Sequence, residues 1–245
     1  MPHPFSRAYV RCWAAVVAQF CRDVSAVHAH AEAAGVVATA HGLLRTLTPG
    51  TWGEMRAAGV VATMQGFPLW AAMGRVLHGW ALAMQGQGAE GLAQVGQGIA
   101  TVRATGAVLF VPYMCTLLAD VAARLGRPAD GLQALTEAHM LVEQHEERYW
   151  EAEVCRLWGV VLLRQPETAQ AEAEAWLQRA LAVARRQEAK SLELRAAMSL
   201  SRLWQRQGKR AEARELLAPV YGWFTEGFDT ADLQEAKALL GELGG

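Results

Sequence analysis

The feature that most constrains this chain is a period. From Trp70 a step of 40 residues reaches Phe110, another 40 reaches Trp150, and a further 42 reaches Leu192. The same steps carry Gly79 to Ala119, Gly159 and Ser201. They carry Gly86 to Gly126, Pro166 and Gly208, all helix breakers, and Gly91 to Gly131, Ala171 and Ala213. Four tracks sharing one spacing mark an array of supersecondary units, each too small to bury its apolar face alone.

The residue types on the tracks define the unit. A breaker ends a first helix, because glycine takes the left-handed turn that other residues adopt at a cost. A small residue seven positions earlier lets the paired helix come close, and another five positions after the breaker meets it from the second helix. This small–large grammar is that of the tetratricopeptide repeat, usually 34 residues long. Here each helix is about one turn longer, and Arg164-Gln165-Pro166-Glu167-Thr168 lengthens one connection. The segments between breakers are helical in pattern. In 113–125 the apolar line is Cys115, Leu118, Ala119, Ala122 and Leu125, spaced as one helix stripe. Segment 169–187 is rich in helix formers and ends in Arg185-Arg186, where cations suit the helix dipole. Pro112 and Pro128 fit first turns, whereas Pro219 falls late in a helix and predicts a kink. Trp70, Trp150, Trp158 and Trp204 are assigned to inward positions. After Gly227, Asp229 or Thr230 can cap a last helix whose stripe is Leu233, Ala236, Leu240 and Leu243.

The predicted fold is therefore all-α: a right-handed tetratricopeptide-like α-solenoid of about five helical hairpins with a C-terminal capping helix. It forms one superhelical domain over 1–245, with a first hairpin at 1–39, repeats at 66–105, 106–145, 146–187 and 188–226, and a cap at 229–243. Residues 40–64 are read as an insert, because the heptapeptide AAGVVAT occurs at 33–39 and again at 57–63. Removing the 24-residue spacing puts the turn of the first hairpin near Arg22, in register with Gly86. Thr46 to Thr51 reads as the loop at the joint.

Composition narrows the function. Apolar residues make up 52% and the 23 basic residues balance 24 acidic ones. Disorder is excluded, and a direct nucleic-acid role would want a basic excess. Nothing resembling a secretory signal opens the sequence and no apolar run reaches a bilayer-spanning length, so a cytoplasmic protein with reduced thiols is expected. Cys12, Cys21, Cys115 and Cys155 form no CxxC pair. Cys115 and Cys155 share a repeat position, which reads as a small apolar core slot. His28 with His30, and His139 with His145, are spaced badly for shared chelation on a helix. Gly208-Lys209-Arg210 lacks the rest of a P-loop, Gly86-Gln87-Gly88 is a helix turn, and no nucleophile elbow appears. Glu151 and Glu153 are assigned to charged helix faces. No catalytic residue, cofactor or metal is expected.

One surface stands out. In such repeats the first helices line the concave face. Counting each breaker as the fifteenth position, the exposed concave positions of three units are Tyr113, Asp120, Arg124, Glu153, Arg156, Arg164, Arg195, Arg202 and Arg206. Six are arginines in a chain without net positive charge. Guanidinium forks hold carboxylates two-pronged, which points to an acidic or C-terminal peptide partner.

Several stretches carry a family resemblance: GFPLW at 66–70, GWALAMQGQG at 79–88, ERYWEAE at 147–153 and KSLELRAAMSLSRLWQRQGKRAEARELLAPVYGWFTEGFDTADLQEAKALL at 190–240. They resemble the C-terminal helical-repeat region of bacterial AAA/STAND-type ATPase-linked adenylate/guanylate cyclases and LuxR-type transcriptional regulators. The resemblance implies a sensor or scaffold of a signal-transduction system, non-catalytic and protein-binding. The alternative it implies is a fragment or regulatory subunit whose cyclase or ATPase domains lie elsewhere.

Overall fold

The computed structural model describes residues 14, 22, 24–27, 29–30, 68–108, 110–146, 148–165 and 169–244, with the backbone alone at 68–71. The insert 40–64, both AAGVVAT copies, Cys12, Cys21, His28, Pro166 and the Trp70 side chain lie outside the described set. Every element bounded among the described residues is helical, and the chain, read above as one superhelical domain, divides into two compact units, Met1–Leu125 and Gly126–Gly245.

In the first unit α1 (Pro68–Met84) packs against α2 (Gly88–Ala104), and both pack on α3 (Val111–Arg124). A Cβ at Gly79 would meet the Gly91 carbonyl oxygen at 2.6 Å, and a Cβ at Gly98 would meet that of Ala72 at 2.9 Å. The two helices therefore touch backbone to backbone, an approach that only glycine permits. Val76, Leu77, Val95, Ile99 and Val102 fill the seam on either side.

The second unit begins with α4 (Pro128–His145) and a 3-10 turn (Arg148–Trp150), followed by α5 (Glu151–Leu162) and α6 (Gln170–Arg186). It ends with α7 (Lys190–Arg206), α8 (Arg210–Gly222) and α9 (Ala231–Gly244). Helix α5 packs on α4, α6 and α7, and α7 also packs on α6, α8 and α9. The small-residue contact recurs twice. A Cβ at Gly159 would meet the Ala173 carbonyl oxygen at 2.8 Å, and the buried Ser201 hydroxyl donates to the Ala213 carbonyl oxygen at 3.0 Å. Gly79, Gly159 and Ser201 thus occupy equivalent places in α1/α2, α5/α6 and α7/α8.

The structure corrects the partner track at one place. Ala171 is exposed, and Ala173 takes the slot facing Gly159. The longer connection at 164–168 precedes this helix, so its two extra residues shift the register of α6 as well. The stripe read in α3 is also too narrow. Leu117 is buried, Leu118 only half-buried and Leu125 exposed, and α3 is enclosed on nearly every side. In α9 Leu239 joins Leu233, Ala236 and Leu243 in the buried seam, and Leu240 lies beside it, half-buried. Helix α8 continues through Pro219 to Gly222; Pro219 and Glu215, the residue four before it, are exposed, so water can reach the carbonyl that the missing N–H leaves unpaired.

The turns repeat in backbone conformation more faithfully than in residue type. Gly86, Gly126 and Gly208 have φ of +92°, +71° and +80° and end first helices. After Gly86 and Gly208 the next amide bonds five residues back, Gln87 to Leu82 and Lys209 to Trp204, each at 2.9 Å, the closing bond of a Schellman turn. Second helices α2, α4 and α6 are followed by Gly106, Glu146 and Glu188, with φ of +75°, +54° and +54°. Arg22 also has φ +56° and opens onto helical residues at 24–27, the turn that removing the duplicated spacing predicts.

Candidate interaction surface

The nine residues assigned to a concave face fall in both units. In the first, Tyr113 is buried, 2% exposed. Asp120 accepts from Trp80 Nε1 at 3.2 Å and from Arg124 Nε at 3.0 Å, and Arg124 is exposed. In the second unit Glu153 is 7% exposed and takes both prongs of Arg156, at 2.8 and 2.7 Å. Arg156 also reaches the Ser199 hydroxyl at 3.4 Å. Arg195, likewise 7% exposed, donates from Nε to Asp232 Oδ2 at 2.6 Å and lies 3.8 Å from Glu153. Arg202 is exposed and pairs with Glu235 at 2.7 Å. Arg164 and Arg206 are exposed, with no ion pair among the described residues.

Counting positions predicts that all nine are exposed; Tyr113, Glu153 and Arg195 are instead buried, and Asp120 and Arg156 half-buried. In the second unit the reason is packing: α7 lies against both α5 and α9, so side chains facing a neighbouring first helix are enclosed. A buried charge must be paired, and Glu153–Arg156 and Arg195–Asp232 are. The acid partners on α9 lie off the leucine stripe that marks its buried side. The available signal is Asp232-x-x-Glu235, two carboxylates on one helix face, able to meet arginines two turns apart on one face at 195 and 202.

A second charged cluster lies on α4, α5 and α6. Glu151 opens α5 with its side chain only 3% exposed, and it is not on a solvated face. Guanidinium nitrogens of Arg148, Arg179 and Arg186 approach its carboxylate at 3.2, 3.4 and 3.4 Å. Glu143 receives Arg148 at 3.6 Å and Arg179 at 3.5 Å. Beside it, the rings of Trp158 and Trp176 stack 4.4 Å apart, His139 packs edge-on to both, and Arg179 lies over Trp176. Burial, then the Arg179 charge, hold the His139 imidazole below its usual value against the pull of Glu143 and Glu151. Its Nδ1 is buried with no hydrogen-bond partner among the described residues. Trp204 donates to Glu174 at 2.8 Å, so it is anchored at its polar edge.

Burial pushes the Cys155 thiol up to about 12, so it remains a protonated core residue at neutral pH. Cys115 is also buried and unbridged. Among the described residues no cluster of three or more His, Cys, Asp or Glu is arranged to hold a metal, and no helix is long and apolar enough to cross a membrane. The chain matches no protein-family model, and a search of curated proteins finds no significant match.

Proposed function

We propose that this chain is a non-catalytic interaction scaffold or sensor module of a bacterial signal-transduction system, built as a tetratricopeptide-like right-handed solenoid and acting in the cytoplasm. The observation that carries the reading is the recurrence of one small-residue contact in α1/α2, α5/α6 and α7/α8. Stacked hairpins of this kind owe their rigidity to neighbours, and rigid preformed surfaces bind extended segments at low entropic cost. The partner is a peptide or domain with an acidic face. Of the nine residues assigned to the concave face, Arg164, Arg202 and Arg206 are the arginines of the second unit that are exposed, and Arg202 already holds one carboxylate, Glu235.

The test is fluorescence anisotropy with a short glutamate-rich peptide ending in a free carboxylate. The native chain should bind it, and Arg202→Glu with Arg206→Glu should weaken binding at least about tenfold, or 1.4 kcal/mol. Affinity unchanged by the two reversals would reject this surface.

A further inference from the structure

Among the described residues, the charged cluster around Glu151 draws on three arginines and plays no part in the surface proposed above. Three guanidinium groups approach a single buried carboxylate from two segments: Arg148 in the 3-10 turn, Arg179 and Arg186 on α6. Their side chains are 45%, 42% and 62% exposed, so each also presents a face to solvent. All three reach one carboxylate, so the three guanidinium groups converge on one place.

The balance of charge selects the anion. Three positive groups face Glu151 and Glu143, leaving one net positive charge. Glu151 is 3% exposed and held by three arginines, whereas Glu143 is 45% exposed and, among the described residues, pairs with Arg148 and Arg179 at 3.6 and 3.5 Å. Were Glu143 to swing into water, three guanidinium groups would face one carboxylate, and two positive charges would be left. A phosphoryl dianion matches that charge, and its three oxygens match forks arriving from several directions. A single carboxylate would satisfy only what Glu143 already does. The surroundings suit a peptide carrier. Exposed Met140 and Tyr149 directly follow His139 and Arg148 in the chain, and the Trp158–Trp176 stack with its Arg179 cover stands alongside. His139 adds a buried ring nitrogen that lacks a partner.

We propose that Arg148, Arg179 and Arg186 form a binding site for a phosphorylated peptide segment, with Glu143 as an internal stand-in that the phosphoryl group displaces. The site is separate from the Arg164–Arg202–Arg206 surface, so either stands without the other.

The experiment titrates the full chain with a labelled phosphothreonine peptide, its unphosphorylated twin and inorganic phosphate as competitor. The phosphopeptide should bind about tenfold or more tightly than its twin. Arg179→Gln and Arg186→Gln should each lower affinity about tenfold. Arg185→Gln, whose guanidinium serves Glu193 instead, should not, and neither should the double reversal at Arg202 and Arg206. Glu143→Gln should tighten binding several-fold, an effect no merely structural role would produce, and it needs no folding control beyond unchanged helical circular dichroism. Equal affinity for the twin, or weaker binding by Glu143→Gln, would overturn the proposal. Inorganic phosphate competing as strongly as the phosphopeptide would overturn the assignment to a peptide.

Discussion

Hairpins α1/α2 and α7/α8 solve one problem with different chemistry. In α1/α2, glycines at 79, 91 and 98 let the backbones touch, and buried His78 meets Gln94 across the pair at 3.3 Å. In α7/α8 the same position is Ser201, which fills the gap and spends its hydroxyl on the Ala213 carbonyl. Helix α7 then carries ion pairs on buried carboxylates that α1 lacks among the described residues: Arg195 to Asp232, and Glu193 to Arg185 and Lys190. The lesson is that the repeat conserves a distance between helices and leaves open how it is kept. Apolar contact tolerates no added atom, while a polar contact tolerates no lost one.

The comparison breaks most severely at the glycines. Gly79→Val should cost upward of ~3 kcal/mol, because its Cβ would meet backbone on the partner helix and not a side chain that can turn away. Gly74→Ala on the same helix, where nothing lies within 4 Å, should instead gain up to ~1 kcal/mol from helix propensity. Chemical denaturation of both variants reads the contrast. Next in size, Asp232→Ala should cost about 2–4 kcal/mol by leaving Arg195 buried without its shortest partner, and equal stability of the variant would refute that role.

A smaller effect is pH-dependent. Burial alone would raise the Glu193 carboxyl, but hydrogen bonds from Lys190 and Arg185 outweigh it and hold it below the usual glutamate value. A folded value lower than the unfolded one means that the stabilisation is complete above the unfolded value and is lost as pH falls through the folded one. Glu193→Gln should therefore cost about 1–2 kcal/mol at neutral pH and nothing in acid below the folded value. A constant difference between the two chains across that range would contradict it. The smallest change goes the other way. Glu188→Gly should stabilise by about 0.5–1 kcal/mol, since Glu188 pays for a left-handed φ of +54° that glycine adopts freely.

What could be read from residue order follows the same division. The glycine and serine tracks were legible because a close helix approach admits few residue types, and the arithmetic of the duplication located the Arg22 turn even though arginine signals none. Turns at Glu146 and Glu188 were invisible, because tertiary packing imposes a left-handed backbone on a residue type that does not advertise it. The shift from Ala171 to Ala173 follows from the longer connection at 164–168, which displaces every α6 position by two, although the unchanged 40-residue step lands on Ala171. The candidate surface was legible only as composition. That Arg195 and Glu153 are enclosed depends on α9 and α5 lying along α7, and residue spacing within one repeat carries no information about its neighbours. Glu151 failed for a like reason, since its three arginines come from the 3-10 turn and from α6, as far as 35 residues away.

Hydrogen exchange on three single variants tests the central claim most directly: Gly79→Val, Gly159→Val and Ser201→Val, with exposed Gly241→Val as control. Each of the three should deprotect both helices of its own hairpin first, α1 with α2, α5 with α6 and α7 with α8, while Gly241→Val leaves all six protected. Protection lost in one helix alone, or a pattern shared with the Gly241→Val control, would show that these positions are not equivalent closures of a repeated hairpin.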